Sequence, residues 1–228
     1  DISKFPDYTK LSQQELDEKL SGARSEVVSD KKKKNPADFA LWFFTVGRFA
    51  DHILRWDSKF GTGFPGWHIE CSAMSMKYLG LTIDIHTGGV DHIPVHHTNE
   101  IAQSEAATGQ QFVKYWVHSS FLMVDGKKMS KSLNNFLRIY DIINEKFNPL
   151  AFRYLTFQTH YRMEMNFTWE ALKAASESLN RLYEHASGFD EIHKHTDIDF
   201  EREFLDAASQ DLNMSKALSI VWRMLSSN

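Results

Sequence analysis

Apolar and polar positions along the chain change rhythm twice. Up to about residue 65 the pattern is polar and broken by turns. Ser12-Gln13-Gln14-Glu15 reads as a capping box opening a short helix that Gly22 closes, and the charged run 30–36 reads as a solvated loop. A short apolar segment over 39–44 precedes a glycine- and proline-rich loop over 61–66. From Gly66 the rhythm becomes α/β. Ile69, Ala73, Met76 and Leu79 are spaced for one buried face of a helix over 66–79, with Gly80 as its stop. Residues 82–87 alternate as a strand and run into Gly88-Gly89. A second helix is predicted over 95–107, ending near Gly109, and a second strand over 112–117. Residues 121–124 then meet Asp125-Gly126, a strong hairpin signal that leads into Lys127 and Lys128. Helix, strand, helix, strand in that order predicts part of a doubly wound parallel sheet.

Beyond about residue 138 no further strand is predicted. Helices are expected over 139–147, 149–158, 169–187 and 201–227, with Pro149 in a first turn and Thr168 as an N-cap. The region reads as all-α.

Composition narrows the class. A chain of 228 residues is one large domain or one and a half, and 42% apolar content with 17 Phe, 7 Tyr and 6 Trp suffices for a core. The net charge of −4 gives no global basic field, although a local RNA-binding face is compatible with it. The single cysteine, Cys71, rules out an internal disulfide and points to a reducing compartment. There is no apolar stretch near the roughly 20 residues that span a bilayer and no signal peptide, so a soluble, cytoplasmic protein is expected.

Two groups of residues carry chemistry. The string Lys128-Met129-Ser130-Lys131-Ser132 follows the predicted hairpin and makes a mobile cationic loop, able to close on a triphosphate and neutralise charge on departing pyrophosphate. A lysine pair in a turn is ordinarily just solvated; the whole string in this setting is more specific. His96 and Glu100 stand at i and i+4 on one helical face, where they form either a hydrogen bond or half of a metal site. Cys71 lies one βα unit earlier, within reach of the same point. Thiolate, imidazole and carboxylate are a plausible zinc set one ligand short of closure, while a lone cysteine is otherwise a small core residue.

The lysine string resembles the signature loop of class I aminoacyl-tRNA synthetases. The strings Gly66-Trp67-His68-Ile69-Glu70-Cys71-Ser72-Ala73-Met74, Asp84-Ile85-His86-Thr87-Gly88-Gly89-Val90-Asp91 and His96-His97-Thr98-Asn99-Glu100-Ile101-Ala102-Gln103-Ser104 closely resemble the cysteinyl-tRNA synthetase family, with matching spacing. The resemblance implies an α/β fold: the second half of a doubly wound, Rossmann-like catalytic domain followed by an α-helical region. Residues 1–45 would be the end of an inserted domain, 46–137 the second half of the nucleotide fold with its lysine loop, and 138–228 the stem-contact region and the start of a helical domain. The resemblance also implies stem contact for His160-Tyr161-Arg162 in that last region and for Ser119-Ser120 ahead of it.

By the same resemblance Cys71, His96 and Glu100 would bind one Zn2+ per chain. Lys128 and Lys131 would contact ATP phosphates while Ser130 and Ser132 shape the loop. Trp67 would lie over the cysteine side of the site or serve as an ordinary rim aromatic. His86 would line the adenylate site, Gly88 and Gly89 would admit the nucleotide, and Asp91 would accept hydrogen bonds from ribose hydroxyls. His92 and His97 read as structural, and His92 departs from an aliphatic residue common in the family. The implied substrates are cysteine, ATP (with Mg2+) and tRNA(Cys), and a monomer is expected.

Two features of the family are absent from these residues: a His-x-Gly-His motif and a further zinc cysteine. The expectation is therefore a piece of a longer enzyme that does not form cysteinyl-adenylate alone. Two rivals remain. One is the ligase of the same descent that joins cysteine to an amino-sugar in mycothiol synthesis. The other is a non-catalytic zinc- or RNA-binding module.

Overall fold

The computed structural model describes residues 2–5, 7–14, 33–130, 132–188 and 198–226. Residues 15–22 of the expected short helix, residues 30–32 of the charged run over 30–36, and Lys131 lie outside the described residues. The chain divides into two compact units, Asp1–His118 and Ser119–Asn228.

In the first unit, β1 (Trp42–Phe44) pairs antiparallel with β2 (Gly63–Pro65), Trp42 opposite Pro65. The segment 61–66, expected as a loop, thus contains a strand. Gly63 is the physical reason, because a Cβ there would collide with the Phe43 carbonyl and the Trp42 indole. Helix α1 (Trp67–Leu79) follows, then β3 (Ile83–Gly89), a 3-10 turn (Val90–His92), a π-turn (Ile93–His97), α2 (Thr98–Thr108) and β4 (Val113–Ser119). Strands β3 and β4 are neighbours in one two-stranded sheet, where Ile83 N–H donates to the Phe112 carbonyl. Ile83, Phe112 and Val113 form a small core beneath them, with Met76 and Trp116 at its edge.

The expected apolar face of α1 packs only in part, through the half-buried Ile69 and Met76. Ala73 is exposed and Leu79 is 66% exposed, whereas Ser72 is the buried residue of that helix. Its hydroxyl meets Ser104 Oγ at 2.8 Å and accepts from Gln103 Nε2 at 2.5 Å, so α1 and α2 join through small polar groups that let their backbones approach. Gln103 Nε2 also donates to the His68 carbonyl at 2.6 Å. Near the start of the chain, Tyr8 OH donates to the buried Asn99 Oδ1 at 2.5 Å, tying that segment to α2.

The second unit opens with the hairpin. Strand β5 (Leu122–Val124) pairs antiparallel with β6 (Lys127–Lys128) around Asp125 (φ 49°) and Gly126 (φ 71°), both in the left-handed region that a two-residue hairpin turn needs. Helices α3 (Ile139–Asn144), α4 (Pro149–Phe157), α5 (Trp169–Ser187), α6 (Ile198–Ser209) and α7 (Met214–Ser226) follow. Asn148 caps α4 and Thr168 caps α5, each side chain accepting a backbone N–H.

Two expectations fail in this unit. A further strand, β7 (Met165–Phe167), pairs parallel with β5, so the region after 138 is not purely helical. Three residues are too few for alternation to show in sequence. The single helix expected over 201–227 is two, because Asp211 (φ 54°) and Leu212 (φ 55°) both adopt left-handed backbone. Asp211 is pinned there by Arg162 Nε at 2.5 Å and Tyr161 OH at 2.6 Å. The main core of the unit gathers Ile142, Ala151, Tyr154, Leu155, Phe167, Leu172, Ala175 and Leu179. Among the described residues no helix is long and apolar enough to cross a membrane.

Candidate functional site

The first unit gathers imidazoles around one buried carboxylate. Cys71 sits in the second turn of α1, and Trp67 and His68 begin that helix. His86 lies in β3. The π-turn presents His96 and His97 side by side, and Thr98 Oγ1 donates to the Ile93 carbonyl at 2.6 Å across that widened turn. Glu100, one turn later in α2, is fully buried. His97 and His96 precede it by three and four residues, so both rings fall on its face of the helix.

Glu100 Oε2 stands 3.2 Å from His86 Nε2, 3.6 Å from His96 Nε2 and 3.8 Å from His97 Nε2. The outward nitrogens are engaged elsewhere. His96 Nδ1 pairs with His68 Nδ1 at 2.8 Å, and His97 Nδ1 with His118 Nε2 at 2.7 Å. Trp67 stacks on His96 with ring centroids 4.0 Å apart, and Trp116 covers His86 and His97, each at 4.7 Å. Burial holds the His96 imidazole down to about 4, against the opposing pull of Glu100. Burial and then the neighbouring imidazoles hold His97 down to about 2. His86 is shifted upward, chiefly by its hydrogen bond to Glu100. Burial, with Glu100 and Glu70 behind it, raises the Cys71 thiol.

Donor atoms of Cys71, His96 and Glu100 all lie within 4.8 Å of one another. Glu100 Oε2 is buried without a hydrogen-bond partner, a costly state for a carboxylate unless a cation meets it. A neutral imidazole, a thiol that a metal would deprotonate and an orphaned carboxylate oxygen make a fitting donor set for zinc. Trp67, His86, Gly88, Gly89 and Asp91, the other residues of this unit implied by resemblance, lie on α1, β3 and the 3-10 turn after it. His86 reaches Glu100, and Trp67 is 56% exposed beside His96. Gly88 packs under His97, where a Cβ would come within 2.5 Å of the ring. Gly89 and the exposed Asp91 follow it, with Asp91 Oδ1 close to where a Gly89 Cβ would be.

In the second unit, the lysine string leaves β6. Lys128 Nζ lies over the Phe121 ring, 4.1 Å from its centroid. Asn135 closes the loop from both sides: Ser130 N–H donates to its Oδ1 at 2.8 Å, and its Nδ2 donates to the Lys128 carbonyl at 3.1 Å. Ser130 Oγ accepts from Leu133 N–H at 3.2 Å and lies 3.1 Å from Ser132 Oγ.

The family model described as "tRNA synthetases class I (C) catalytic domain" matches residues 1–177. The chain belongs to that synthetase family. It is 53% identical to a cysteine–tRNA ligase of Treponema denticola over 182 residues, covering 80% of this chain and 36% of the relative. It is 44% identical to cysteine–tRNA ligase 1 of Burkholderia lata, covering 100% of this chain and 48% of the relative. A cysteine–tRNA ligase of Thermodesulfovibrio yellowstonii is likewise 44% identical, with coverage of 98% and 48%. The chain thus spans about half the length of the curated relatives it matches, or less. Among solved structures, the LeuRS of Agrobacterium radiobacter K84 in its ternary complex with tRNA and LeuAMS shares the fold. That match has a TM-score of 0.54 at 14% identity and covers 76% of this chain and 29% of that one. The α/β fold expected from the order of elements is the fold of this synthetase family.

Sequence reasoning missed His68, His118 and Asn135. The two histidines bond the backs of His96 and His97, a pairing between distant elements that no local pattern reveals. Asn135 had a fainter signal, a short polar side chain just after a serine-rich loop.

Proposed function

We propose that the protein is a cysteine–tRNA ligase. The observation that carries this reading is the convergence of Cys71, His96 and Glu100 donor atoms within 4.8 Å in a member of the class I synthetase family. The names of the similar proteins support the same substrate pair. Two reactions follow. A carboxylate oxygen of cysteine attacks the α-phosphorus of ATP, giving cysteinyl-adenylate as pyrophosphate leaves. A hydroxyl of the terminal ribose of tRNA(Cys) then attacks the acyl carbon, and AMP departs.

Zinc held by Cys71, His96 and Glu100 supplies a soft, Lewis-acidic position that favours a thiolate over an alcohol. His68 holds the His96 ring so that Nε2 faces inward, and Trp67 caps that ring against water. Rejection of serine rests on this chemistry, on the scale of the roughly 10⁴–10⁵ discrimination that specific polar recognition reaches without editing. In the second unit, Lys128 and Lys131 neutralise charge on the departing pyrophosphate, with Mg2+ on the nucleotide, and Ser130 with Asn135 shapes the loop. His86, Gly88, Gly89 and Asp91 are assigned to the adenylate side by family pattern.

Cysteine-dependent exchange between ATP and pyrophosphate, with charging of tRNA(Cys), tests the reading in the whole protein. Exchange that responds equally to serine, or ligation of cysteine to glucosaminyl-inositol in place of tRNA charging, would overturn it.

A further inference from the structure

Selection of cysteine by zinc requires Cys71 to stand at a fixed distance from His96 and Glu100, although the thiol and the carboxylate belong to different helices. On α1, His68 and Ser72 bracket Cys71 within one helical turn. On α2, Glu100 and Ser104 stand four apart on one face, with Gln103 beside them. His68 Nδ1 meets His96 Nδ1 at 2.8 Å, and Ser72 Oγ meets Ser104 Oγ at 2.8 Å. In sequence, the pairing of Cys71 with Glu100 therefore falls between two polar contacts.

Gln103 joins both ends of that turn. Its Nε2 donates to the His68 carbonyl at 2.6 Å and to Ser72 Oγ at 2.5 Å. Neither acceptor depends on it. Ser72 Oγ keeps Ser104, and the His68 carbonyl keeps the backbone N–H four residues on in the helix. The other end of the amide is a liability: among the described residues Gln103 Oε1 is buried without a hydrogen-bond partner. That state costs about as much as two net hydrogen bonds contribute. Gln103 also borders an apolar cavity lined by Phe5, Phe39, Ile69 and Ala102, whose walls suit an apolar side chain. Stability alone does not account for an amide here. Position does.

We propose that Gln103 is a positioning residue for cysteine selection. It locks the Cys71 turn of α1 in register with Glu100 and His96, and so sets how firmly the metal is held by the Cys71 thiolate. This rests on the zinc reading above and concerns how the set is held rather than which residues form it.

The test uses cobalt(II) as the probe, because a thiolate ligand gives a sulfur-to-cobalt charge-transfer band. Gln103→Met in the whole protein nearly conserves side-chain volume and removes the amide. It is expected to keep its far-ultraviolet circular dichroism and to melt within a few degrees of the wild type. Well below that transition it should bind cobalt about 10-fold more weakly, the lower end of the effect of losing a group that orients a ligand, with a weaker charge-transfer band. Preference for cysteine over serine in pyrophosphate exchange falls with it. Should Gln103→Met not fold, Gln103→Leu carries the same comparison. A variant with a lower melting temperature but unchanged cobalt affinity and band marks a merely structural glutamine and overturns the proposal, leaving the zinc reading intact. A wild-type protein that binds cobalt with no charge-transfer band overturns the zinc reading and this proposal together.

Discussion

Gly88→Ala probes the histidine cluster through a single methyl group. The backbone of Gly88 is outside the left-handed region, so ordinary conformational entropy predicts a gain of about 0.4–1 kcal/mol. Sterics predict the opposite. The new Cβ would stand 2.5 Å from His97 Cε1, 2.9 Å from its Nε2 and 3.0 Å from His92 Nδ1. His97 cannot swing away, because it is 1% exposed, bonded to His118 and flanked by Trp116. Overpacking of this kind costs about 1–3 kcal/mol, which outweighs the entropic gain. The variant should therefore unfold at a lower urea concentration, followed by the fluorescence of Trp116. Gly89→Ala is the matched contrast. Its Cβ would meet only Asp91 Oδ1, the end of an exposed side chain that can rotate, so its change should stay within about 0.5 kcal/mol. Adding His97→Ala to Gly88→Ala should recover part of the loss, since contiguous residues couple by about 0.5–3 kcal/mol. A Gly88→Ala chain as stable as the wild type, or more so, would refute the steric argument.

Cys71→Ala in the whole protein should abolish the thiolate-bound zinc, read by metal analysis, and with it discrimination between cysteine and serine in pyrophosphate exchange. Asn135→Ala removes two hydrogen bonds worth about 0.5–1.5 kcal/mol each, and it should raise the KM for ATP and lower the unfolding midpoint, by a stability loss within their sum. Leu172→Ala, at a fully buried site in the second unit, should cost about 2–5 kcal/mol in chemical denaturation. The Asp211 carboxyl is held down to about 2, first by its hydrogen bond from Arg162 and then by that from Tyr161. A depressed folded-state pKa stabilises above the unfolded value of about 4, and the benefit is lost as pH falls through about 2. The melting temperature should accordingly drop below about pH 4 by more in the wild type than in Asp211→Asn.

Much of the framework was legible because local signals decided it. The Asp125-Gly126 turn, the Thr168 cap and the order of helices and strands from residue 66 through residue 128 follow from backbone preferences that need no tertiary context. Cys71, His96 and Glu100 were singled out by the family resemblance, because their types and spacing alone left a metal site open, and the fold brings their donor atoms within 4.8 Å of one another. What escaped was set by long-range pairing. Strand β7 exists because β5 offers it an edge, and Ser72 is buried because α2 places Ser104 and Gln103 opposite it. The break between α6 and α7 was invisible for the same reason. Its left-handed residues are an Asp and a Leu, stabilised by side chains about fifty positions earlier in the chain.

The middle position of β5 has a consequence for the order in which this chain acquires structure. Its parallel partner β7 follows α3 and α4, and Asn166 Oδ1 accepts from the Gly126 N–H across a separation of 40 residues. As the chain emerges from a ribosome, the hairpin that bears the lysine loop is born with one edge unsatisfied. It stays so until residue 167 is available, so the loop's base matures together with the helical region. Insertions between 138 and 164 would lengthen that interval, and chain release before β7 would leave an exposed strand edge open to pairing with another nascent copy.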